Sequence, residues 1–381
     1  MRALIIDSGL DRGSLAAARA LAADGWTVGV GSPARGLAAS SRAVAHWHPM
    51  PAPRDGTDDL IAAVSDAVRA QRYEVVFSSE DEGVLALSAG RGELSAVIPY
   101  GPHETVLRAF DKLQLTRAAE SVGIGVPRTI EPTADALASW QGPVVVKPTF
   151  TFATQSEGRM NAIVLDDPSE APARVQEIRR SGGRPILQEV VAGELCAISV
   201  LSDQRSRIVA CTQQRAELTW PPRVGVSARA RTVPLEPDLF ERVRALIERL
   251  EWFGLAQLQF LVAADSDARL LDFNGRFYGS LALAIAAGVD FPTLWARLAT
   301  ERPLPPISQP AIGRRYQWFS RDLRASLSRA DTSRLGGALG SIAHAVGSTH
   351  SVWRMNDPWP AIHHYGGALL AQGLERVRPG R

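Results

Sequence analysis

The sequence has few cysteines, no long apolar run and little net charge, and each of these absences excludes a class of protein. Two cysteines in 381 residues are too few for a disulfide framework or a structural zinc site. No apolar run is long enough for a membrane-spanning helix. Asp7, Asp11 and Arg12 interrupt the only stretch that resembles a signal peptide. A net charge of +2 gives no electrostatic footprint for nucleic acid. We therefore expect a cytoplasmic protein without nucleic-acid or membrane partners.

Motifs of two common enzyme classes are missing as well. The turn at residues 7–13 has two glycines rather than the three of a dinucleotide fingerprint, so we interpret it as scaffold. No Gly-x-Ser-x-Gly elbow or cysteine-centred motif supplies a protein nucleophile. The chain is long for one hydrophobic core and indicates two or three domains.

Alternating strand and helix signals predict a small parallel sheet in the first hundred residues. The predicted strands are residues 2–6, 26–30, 74–77 and 97–99, and the helices are residues 14–23, 58–71 and one from Glu82. Further on, Asp111 is predicted to cap a helix that ends at Ser121, and a strand at 144–146 precedes a helix at 169–181. The next part favours antiparallel pairs, residues 195–201 with 207–214 and 255–262 with 269–274, around a helix at 238–250.

The most informative segment is residues 270–280, Leu-Leu-Asp-Phe-Asn-Gly-Arg-Phe-Tyr-Gly-Ser. In an extended strand Asp272, Asn274 and Arg276 share one face. A carboxylate, an amide oxygen and a guanidinium suit a hard cation beside a phosphate. The alternative is a hairpin at the Asn-Gly step, but the helix-forming residues 280–288 favour a loop and a helix instead.

The preceding strand also has one polar face, because Gln257 and Gln259 alternate with apolar residues. If this strand pairs with the next one, Gln259 can join Asp272 and Asn274 as an oxygen ligand of Mg²⁺. The alternative is that both glutamines are solvent-facing strand residues.

Lys147 ends the apolar strand 144–146, and a hydroxyl-rich loop at 149–158 follows it. The ammonium can act as a point charge on nucleotide phosphates, and the loop can cover phosphates with N–H and hydroxyl donors. The alternatives are a solvated strand end and an ordinary surface hairpin.

Residues 188–194, Gln-Glu-Val-Val-Ala-Gly-Glu, leave a strand and turn at a glycine. Such a hinge can offer backbone groups to a purine edge, with Glu194 within reach of ribose hydroxyls. The more common meaning of this pattern is a strand end with a surface glutamate.

Arg215, Arg229 and Arg231 lie between the two antiparallel pairs. Each can donate two parallel hydrogen bonds to the carboxylate of a second substrate, or can be an ordinary solvated arginine.

Five short motifs in this order resemble the ATP-grasp superfamily, and most closely its carbamoyl-phosphate-synthase-like group of carboxylate–amine ligases. They are Asp111-Lys112, Val146-Lys147-Pro148, Gln188-Glu189 with Gly193-Glu194, Gln259-Phe260, and Asp272-Phe273-Asn274-Gly275-Arg276-Phe277 with Gly279-Ser280. Asp272 stands where the family more often has glutamate, Gly275 where it often has proline, and the loop after Lys147 lacks most of the usual glycines.

The resemblance implies an α/β fold, with an α+β ATP-grasp part of two lobes behind a small parallel-sheet domain. It implies a pre-ATP-grasp domain at residues 1–105, an N-terminal lobe with its lid at 106–187, a C-terminal lobe at 188–302, and a C-terminal extension at 303–381 packed on that lobe.

The resemblance also implies roles for single residues. It assigns ATP phosphates to Lys112 and Lys147, the metal to Gln259, Asp272 and Asn274, and the transferred phosphoryl group to Arg276. The adenine and ribose are assigned to Gln188, Glu189, Val190, Val191 and Glu194.

The implied reaction joins a carboxylate to an amine with ATP and Mg²⁺, for which Mn²⁺ can substitute. The substrates are expected to be small and amino-acid-like, and the assembly a homodimer. Two alternatives stay open: phosphorylation of bicarbonate or a carboxylate without ligation, and nucleotide binding without turnover.

Overall fold

The structure is a computed structural model, and it describes residues 1–52, 57–150, 162–222, 225–263, 267–328 and 333–365. Its strands form three sheets, one from the first hundred residues and two from the rest. The mixed α/β architecture is the one that the sequence predicts.

The first sheet is parallel and four-stranded, in the order β3-β2-β1-β4. Its strands are β1 (Arg2–Ile6), β2 (Thr27–Ser32), β3 (Val44–Pro49) and β4 (Val75–Ser78). The helices of this part are α1 (Arg12–Ala23), α2 (Thr57–Gln71) and α3 (Asp81–Ala89), followed by α4 (His103–Phe110) and α5 (Lys112–Ser121).

The strand order reverses at β1, because the chain runs outward to β2 and β3 and then returns to the other side of β1 as β4. Open α/β sheets bind ligands at the carboxyl ends of strands where the order reverses. The loops after β1 and β4 therefore occupy the position in this sheet where a ligand is expected.

The second sheet is small and antiparallel, in the order β5-β8-β6-β7. Its strands are β5 (Thr129–Ile130), β6 (Val144–Pro148), β7 (Ile163–Leu165) and β8 (Pro185–Glu189), and its helices are α6 (Ala134–Ser139) and α7 (Ala171–Arg180). It has a core of its own in which Val144, Val146 and Leu187 meet Val175 and Ile178.

The third sheet has seven strands in the order β13-β12-β9-β10-β11-β14-β15, and only its last pair is parallel. Its strands are β9 (Glu194–Ser202), β10 (Ile208–Trp220), β11 (Val226–Val233), β12 (Gly254–Val262), β13 (Arg269–Asn274), β14 (Arg315–Gln317) and β15 (Thr349–His350). The helices are α8 (Pro237–Leu250), α9 (Leu281–Ala286), α10 (Phe291–Ala299), α11 (Phe319–Leu327) and α12 (Arg334–Ala345).

Aromatic packing joins the first sheet to the segment after β13. The ring of Phe77 lies 5.2 Å from that of Phe277 and 4.8 Å from that of Trp295, centroid to centroid. The Trp295 indole N–H also donates to the Pro99 carbonyl at 3.1 Å. Each such ring pair contributes about 0.5–1.5 kcal/mol beyond its buried area. This packing fixes residues 276–279 against the carboxyl edge of the first sheet.

One local prediction needs correction. Residues 97–99 do not form a strand, since only Val97 bridges to Val75. Ser280 precedes α9 but makes no capping bond, because its hydroxyl hydrogen-bonds to Gln214 instead. The helix cap at Asp111 is confirmed, as its carboxylate accepts from the N–H groups of Leu113 and Gln114.

Candidate active site

The predicted pairing of the two polar strands is confirmed. In the antiparallel β12–β13 pair, Gln259 is opposite Asp272, and Gln257 is opposite Asn274. Residues opposite each other point to the same side of a sheet, so these four polar side chains share one face. The intervening apolar residues of both strands are buried in the core on the other face.

The oxygen groups on this face fit a small hard cation. The Asp272 carboxylate is half-buried, and no described residue donates a hydrogen bond to it. The Gln259 amide N–H lies 3.4 Å from the Gln257 oxygen, which leaves the Gln259 oxygen available. Asn274 Oδ1 accepts from Arg276 at 2.9 Å and keeps a second lone pair. Mg²⁺ is bound by one or two carboxylates when substrate phosphates supply further oxygens. One carboxylate and two amides therefore form a minimal donor set for it.

Lys147 is buried at the end of β6, 7% exposed, which differs from the alternative of a solvated strand end. The pKa of Lys147 is lowered to about 8, chiefly by burial and also by the nearby Lys112 ammonium, while the Asp272 carboxylate opposes this shift. The two lysines thus lie within electrostatic reach of each other and of the Asp272 carboxylate. Two cations so close together are costly unless an anion binds between them.

A cleft connects these groups across the second and third sheets. Lys112 and Asp272 line it together with Phe110, Phe150 and Asp81. Beside it, Thr149 is buried, and its hydroxyl has no hydrogen-bond partner among the described residues. The rest of the hydroxyl-rich loop, from residue 151 to residue 158, lies outside the described residues. A buried donor without a partner is unusual and is consistent with a ligand atom at this position.

Arg276 is held by acidic groups from the first sheet. Its Nε donates to Asp81 Oδ1 at 2.5 Å, and the pair is buried, with side chains 9% and 15% exposed. Burial alone would lower the pKa of Arg276, but the carboxylates of Asp81 and Asp11 raise it above its ordinary value. The guanidinium is therefore a permanent charge, fixed beside Asn274 at the edge of the predicted metal face.

Residues 188–194 connect β8 of the second sheet to β9 of the third. Gln188 is buried and donates to the Thr129 hydroxyl at 2.8 Å. Glu189 accepts from Arg269 at 3.0 Å, which ties this hinge to the start of β13. At Gly193 φ is +155°, and a Cβ there would meet the Val262 backbone at 3.0 Å. Glu194 is exposed and lies 3.3 Å from Arg215.

The three predicted substrate arginines are not brought together at one site. Arg215 and Arg231 are opposite each other on β10 and β11, but each is exposed and paired with a glutamate, Glu194 and Glu217 respectively. Arg229 instead forms a two-pronged ion pair with the buried Asp322, at 2.8 and 2.7 Å. The guanidinium of Arg229 is thus occupied by an internal carboxylate.

Sequence reasoning missed two residues that the first sheet contributes. Asp81, after β4, binds Arg276, and Arg12, after β1, lines a second pocket beside Gln257 and Gln259. Residues 7–13 were interpreted as scaffold because the dinucleotide fingerprint is missing. The available signal was the strand order itself, since both loops follow strands at the reversal point.

Within the described ranges, no group of three or more histidine, cysteine, aspartate and glutamate side chains could hold a metal. A divalent cation at the polar face would thus depend on amide oxygens. No helix in the part of the chain that the structure describes combines the length and apolarity needed to cross a membrane.

Comparison with known families and structures identifies the fold. Residues 186–321 match a family model described as ATP-grasp in the biosynthetic pathway with Ter operon. An L-amino acid ligase from Bacillus licheniformis is similar in structure, with a TM-score of 0.62 at 16% identity over 79% of this chain and 74% of that chain. Biotin carboxylase from Campylobacter jejuni has a TM-score of 0.62 at 14% identity, over 82% of this chain and 74% of that chain.

A third similar structure is N5-carboxyaminoimidazole synthetase from Staphylococcus aureus, solved with ADP. Its TM-score is 0.59 at 14% identity, over 80% of this chain and 78% of that chain. No curated protein sequence matches the chain. The chain has the ATP-grasp fold, which agrees with the resemblance that its five sequence motifs carry.

Proposed function

We propose that this chain is an ATP-dependent ligase that activates a carboxylate as an acyl phosphate and joins it to an amine. The observation that carries the proposal is the grouping of Asp272, Gln259 and Asn274 on one strand face, with Lys147 in electrostatic contact with Asp272. A face that can bind a divalent cation, together with the closely spaced ammonium groups of Lys112 and Lys147, suits binding of the triphosphate of a nucleotide.

In the proposed reaction a carboxylate oxygen attacks the γ-phosphorus of ATP, and ADP leaves. The amine then attacks the acyl carbon, and inorganic phosphate leaves with the oxygen that the carboxylate contributed. These steps need positioning and charge neutralisation rather than a protein nucleophile. Lys112 and Lys147 would hold the phosphates, and Arg276 would face the transferred group.

A divalent cation supplies charge neutralisation on the phosphates when it is bound. Asp272, Gln259 and Asn274 are the residues that would hold it. The hinge at Gln188, Glu189, Val190 and Val191 would line the adenine, and Glu194 would reach the ribose.

The test is a matrix of small carboxylates and amines incubated with MgATP, read by ADP release and product mass. A ligase releases ADP fully only when both substrates are present, and the product mass equals their sum minus water. ADP release with bicarbonate or a carboxylate alone, without a joined product, would indicate phosphorylation instead. Tight ATP binding without ADP release across the matrix would indicate a nucleotide-binding protein and would refute the ligase proposal.

A further inference from the structure

The loop after β1 places Arg12 in a pocket on the polar face of the large sheet. The pocket is partly open to solvent. Its polar lining comes from Gln214, Gln257, Gln259, Ser227 and Ser280. Gln259 is also one of the predicted metal ligands, so this pocket directly adjoins the proposed site of phosphoryl transfer.

The guanidinium of Arg12 is held in place by neutral groups. It stacks on the Trp318 ring with its carbon 3.4 Å from the ring centroid, and it donates to the Tyr316 hydroxyl at 2.6 Å. Tyr316 in turn donates to the Gly279 carbonyl at 2.9 Å. A Cβ at Gly279 would overlap the guanidinium. A stacked arginine loses little further side-chain entropy when a ligand binds its free edge.

Arg12 has no ion-pair partner among the described residues, unlike Arg276 and Arg229. Arg276 is neutralised by Asp81, and Arg229 by Asp322. Stacking and one phenol bond leave several of the five N–H donors of Arg12 unused. A planar, pre-positioned fork of this kind matches a carboxylate.

The remaining lining selects the kind of carboxylate. Arg12 is the only charged residue among the described residues that line the pocket. The amides are hydrogen-bonded through Ser280, which lies 3.0 Å from Gln214 Nε2 and 3.4 Å from Gln257 Nε2. The amide and hydroxyl oxygens of such a floor can accept hydrogen bonds from polar groups or an ammonium, but the lining offers no second cation for a second carboxylate.

We propose that this pocket binds the carboxylate substrate, that Arg12 is the residue that binds its carboxylate group, and that the substrate is a small monocarboxylate without a second acidic group. The inference rests on the proposed ligase function. It replaces the exposed or already paired Arg215, Arg229 and Arg231 as the anchor for a substrate carboxylate.

The test compares wild-type protein with Arg12→Gln and Arg12→Lys, by kinetics and by direct binding. In the kinetic arm, Arg12→Gln should raise KM for the carboxylate about 10- to 100-fold, the usual range for a lost charge-assisted hydrogen bond, while KM for MgATP stays within about twofold. The KM of Arg12→Lys for the carboxylate should lie between those of the wild type and Arg12→Gln. Arg321→Gln is the matched control, because Arg321 also lies over the Trp318 ring but does not line the pocket.

The binding arm needs no turnover. The melting temperature is measured with glycine, L-alanine, L-serine and L-glutamine, and with L-aspartate as a dicarboxylate, in the absence of ATP. At least one neutral compound should raise the melting temperature of the wild type and of Arg321→Gln, but not that of Arg12→Gln. L-Aspartate should bind at least about tenfold more weakly, because its second carboxylate has no cation to pair with in the pocket.

A second variant tests the pocket without removing the arginine. In Gly279→Ala the new methyl group displaces the guanidinium, so carboxylate binding should weaken as it does in Arg12→Gln. Equal carboxylate affinity in wild type, Arg12→Gln and Gly279→Ala, or no binding of any neutral monocarboxylate, would overturn the inference. Failure of the ligase proposal is distinguishable, because the wild type would then bind carboxylates without releasing ADP in their presence.

Discussion

Gln259 lies directly opposite Asp272 in the antiparallel pair of β12 and β13, so that an amide and a carboxylate face the same side of the sheet. In the proposed site this pair provides the first two ligands of a divalent cation. Among the described residues, the proposed ligand set of Asp272, Gln259 and Asn274 carries one negative charge, and its affinity for the cation should respond strongly to a change in that charge.

Changing the charge at this pair should change the magnesium requirement in opposite directions. Asp272→Asn removes the carboxylate of this pair. Loss of a residue that only supports a metal ligand typically weakens metal binding about 10- to 100-fold, so loss of a ligand itself should raise the Mg²⁺ concentration for half-maximal ADP release by about 10-fold or more. Gln259→Glu adds a carboxylate and should lower that concentration. Titration of Mg²⁺ at saturating ATP measures both. An unchanged requirement in Asp272→Asn would place the cation elsewhere.

The lowered pKa of Lys147 predicts that ATP affinity depends on pH. Below its pKa of about 8 the buried ammonium is charged and attracts phosphate, and above it the free protein has lost that proton. ATP favours the charged form, so the dissociation constant should rise by up to about tenfold per pH unit above 8. The dissociation constant is measured by calorimetry between pH 7 and 10, values chosen to be about one to two units either side of this pKa.

Two variants of Lys147 complete that experiment. Lys147→Arg keeps its charge throughout the range and should flatten the profile, whereas Lys147→Met should bind ATP weakly at every pH. A wild-type profile that matches the profile of Lys147→Met would show that this ammonium does not contact phosphate.

The buried pair of Arg276 and Asp81 predicts a large stability effect. Asp81→Asn leaves a buried guanidinium without its carboxylate and should lower the free energy of unfolding by about 3–5 kcal/mol. The matched control is Asp66→Asn, because Asp66 pairs with Arg69 at the surface, with both side chains more than two-thirds exposed. That change should cost about 0–1 kcal/mol. Urea denaturation gives both values, and equal losses would contradict the structural role of Asp81.

Substitutions of Arg229 and Arg231 should differ in how much they lower the free energy of unfolding. Arg229→Met leaves the carboxylate of Asp322, which is fully buried, without a cation, so it should destabilise the fold by about 3–5 kcal/mol. Arg231→Met breaks an exposed pair and should cost about 0–1 kcal/mol. Neither change should raise KM for the carboxylate beyond about twofold in folded protein, since Arg12 is proposed to hold it. A stable Arg229→Met variant with a much higher KM would restore Arg229 as a substrate ligand.

The strand pairing around Asp272 was predictable because polarity alternates along both strands, and a one-residue slip would expose the apolar residues. The cap at Asp111 and the helix 237–250 were predictable for similarly local reasons. The roles of Arg12 and Asp81 were not, because each depends on packing between the first sheet and the loop after β13. Residues 267 and 195 positions apart in the chain meet there, as the close approach of the Arg12 guanidinium to Gly279 and the Asp81–Arg276 bond show. The ion pair of Arg229 was not predictable for the same reason, since its partner Asp322 lies 93 residues away.

The most direct test of the acyl-phosphate mechanism follows the carboxylate oxygen. A carboxylate identified in the substrate matrix is labelled with ¹⁸O and incubated with the amine and MgATP, and the released phosphate is analysed by mass spectrometry. The proposed function predicts ADP as the nucleotide product and one ¹⁸O atom in each phosphate, both lost in Asp272→Ala. Unlabelled phosphate, or release of AMP and pyrophosphate, would contradict it.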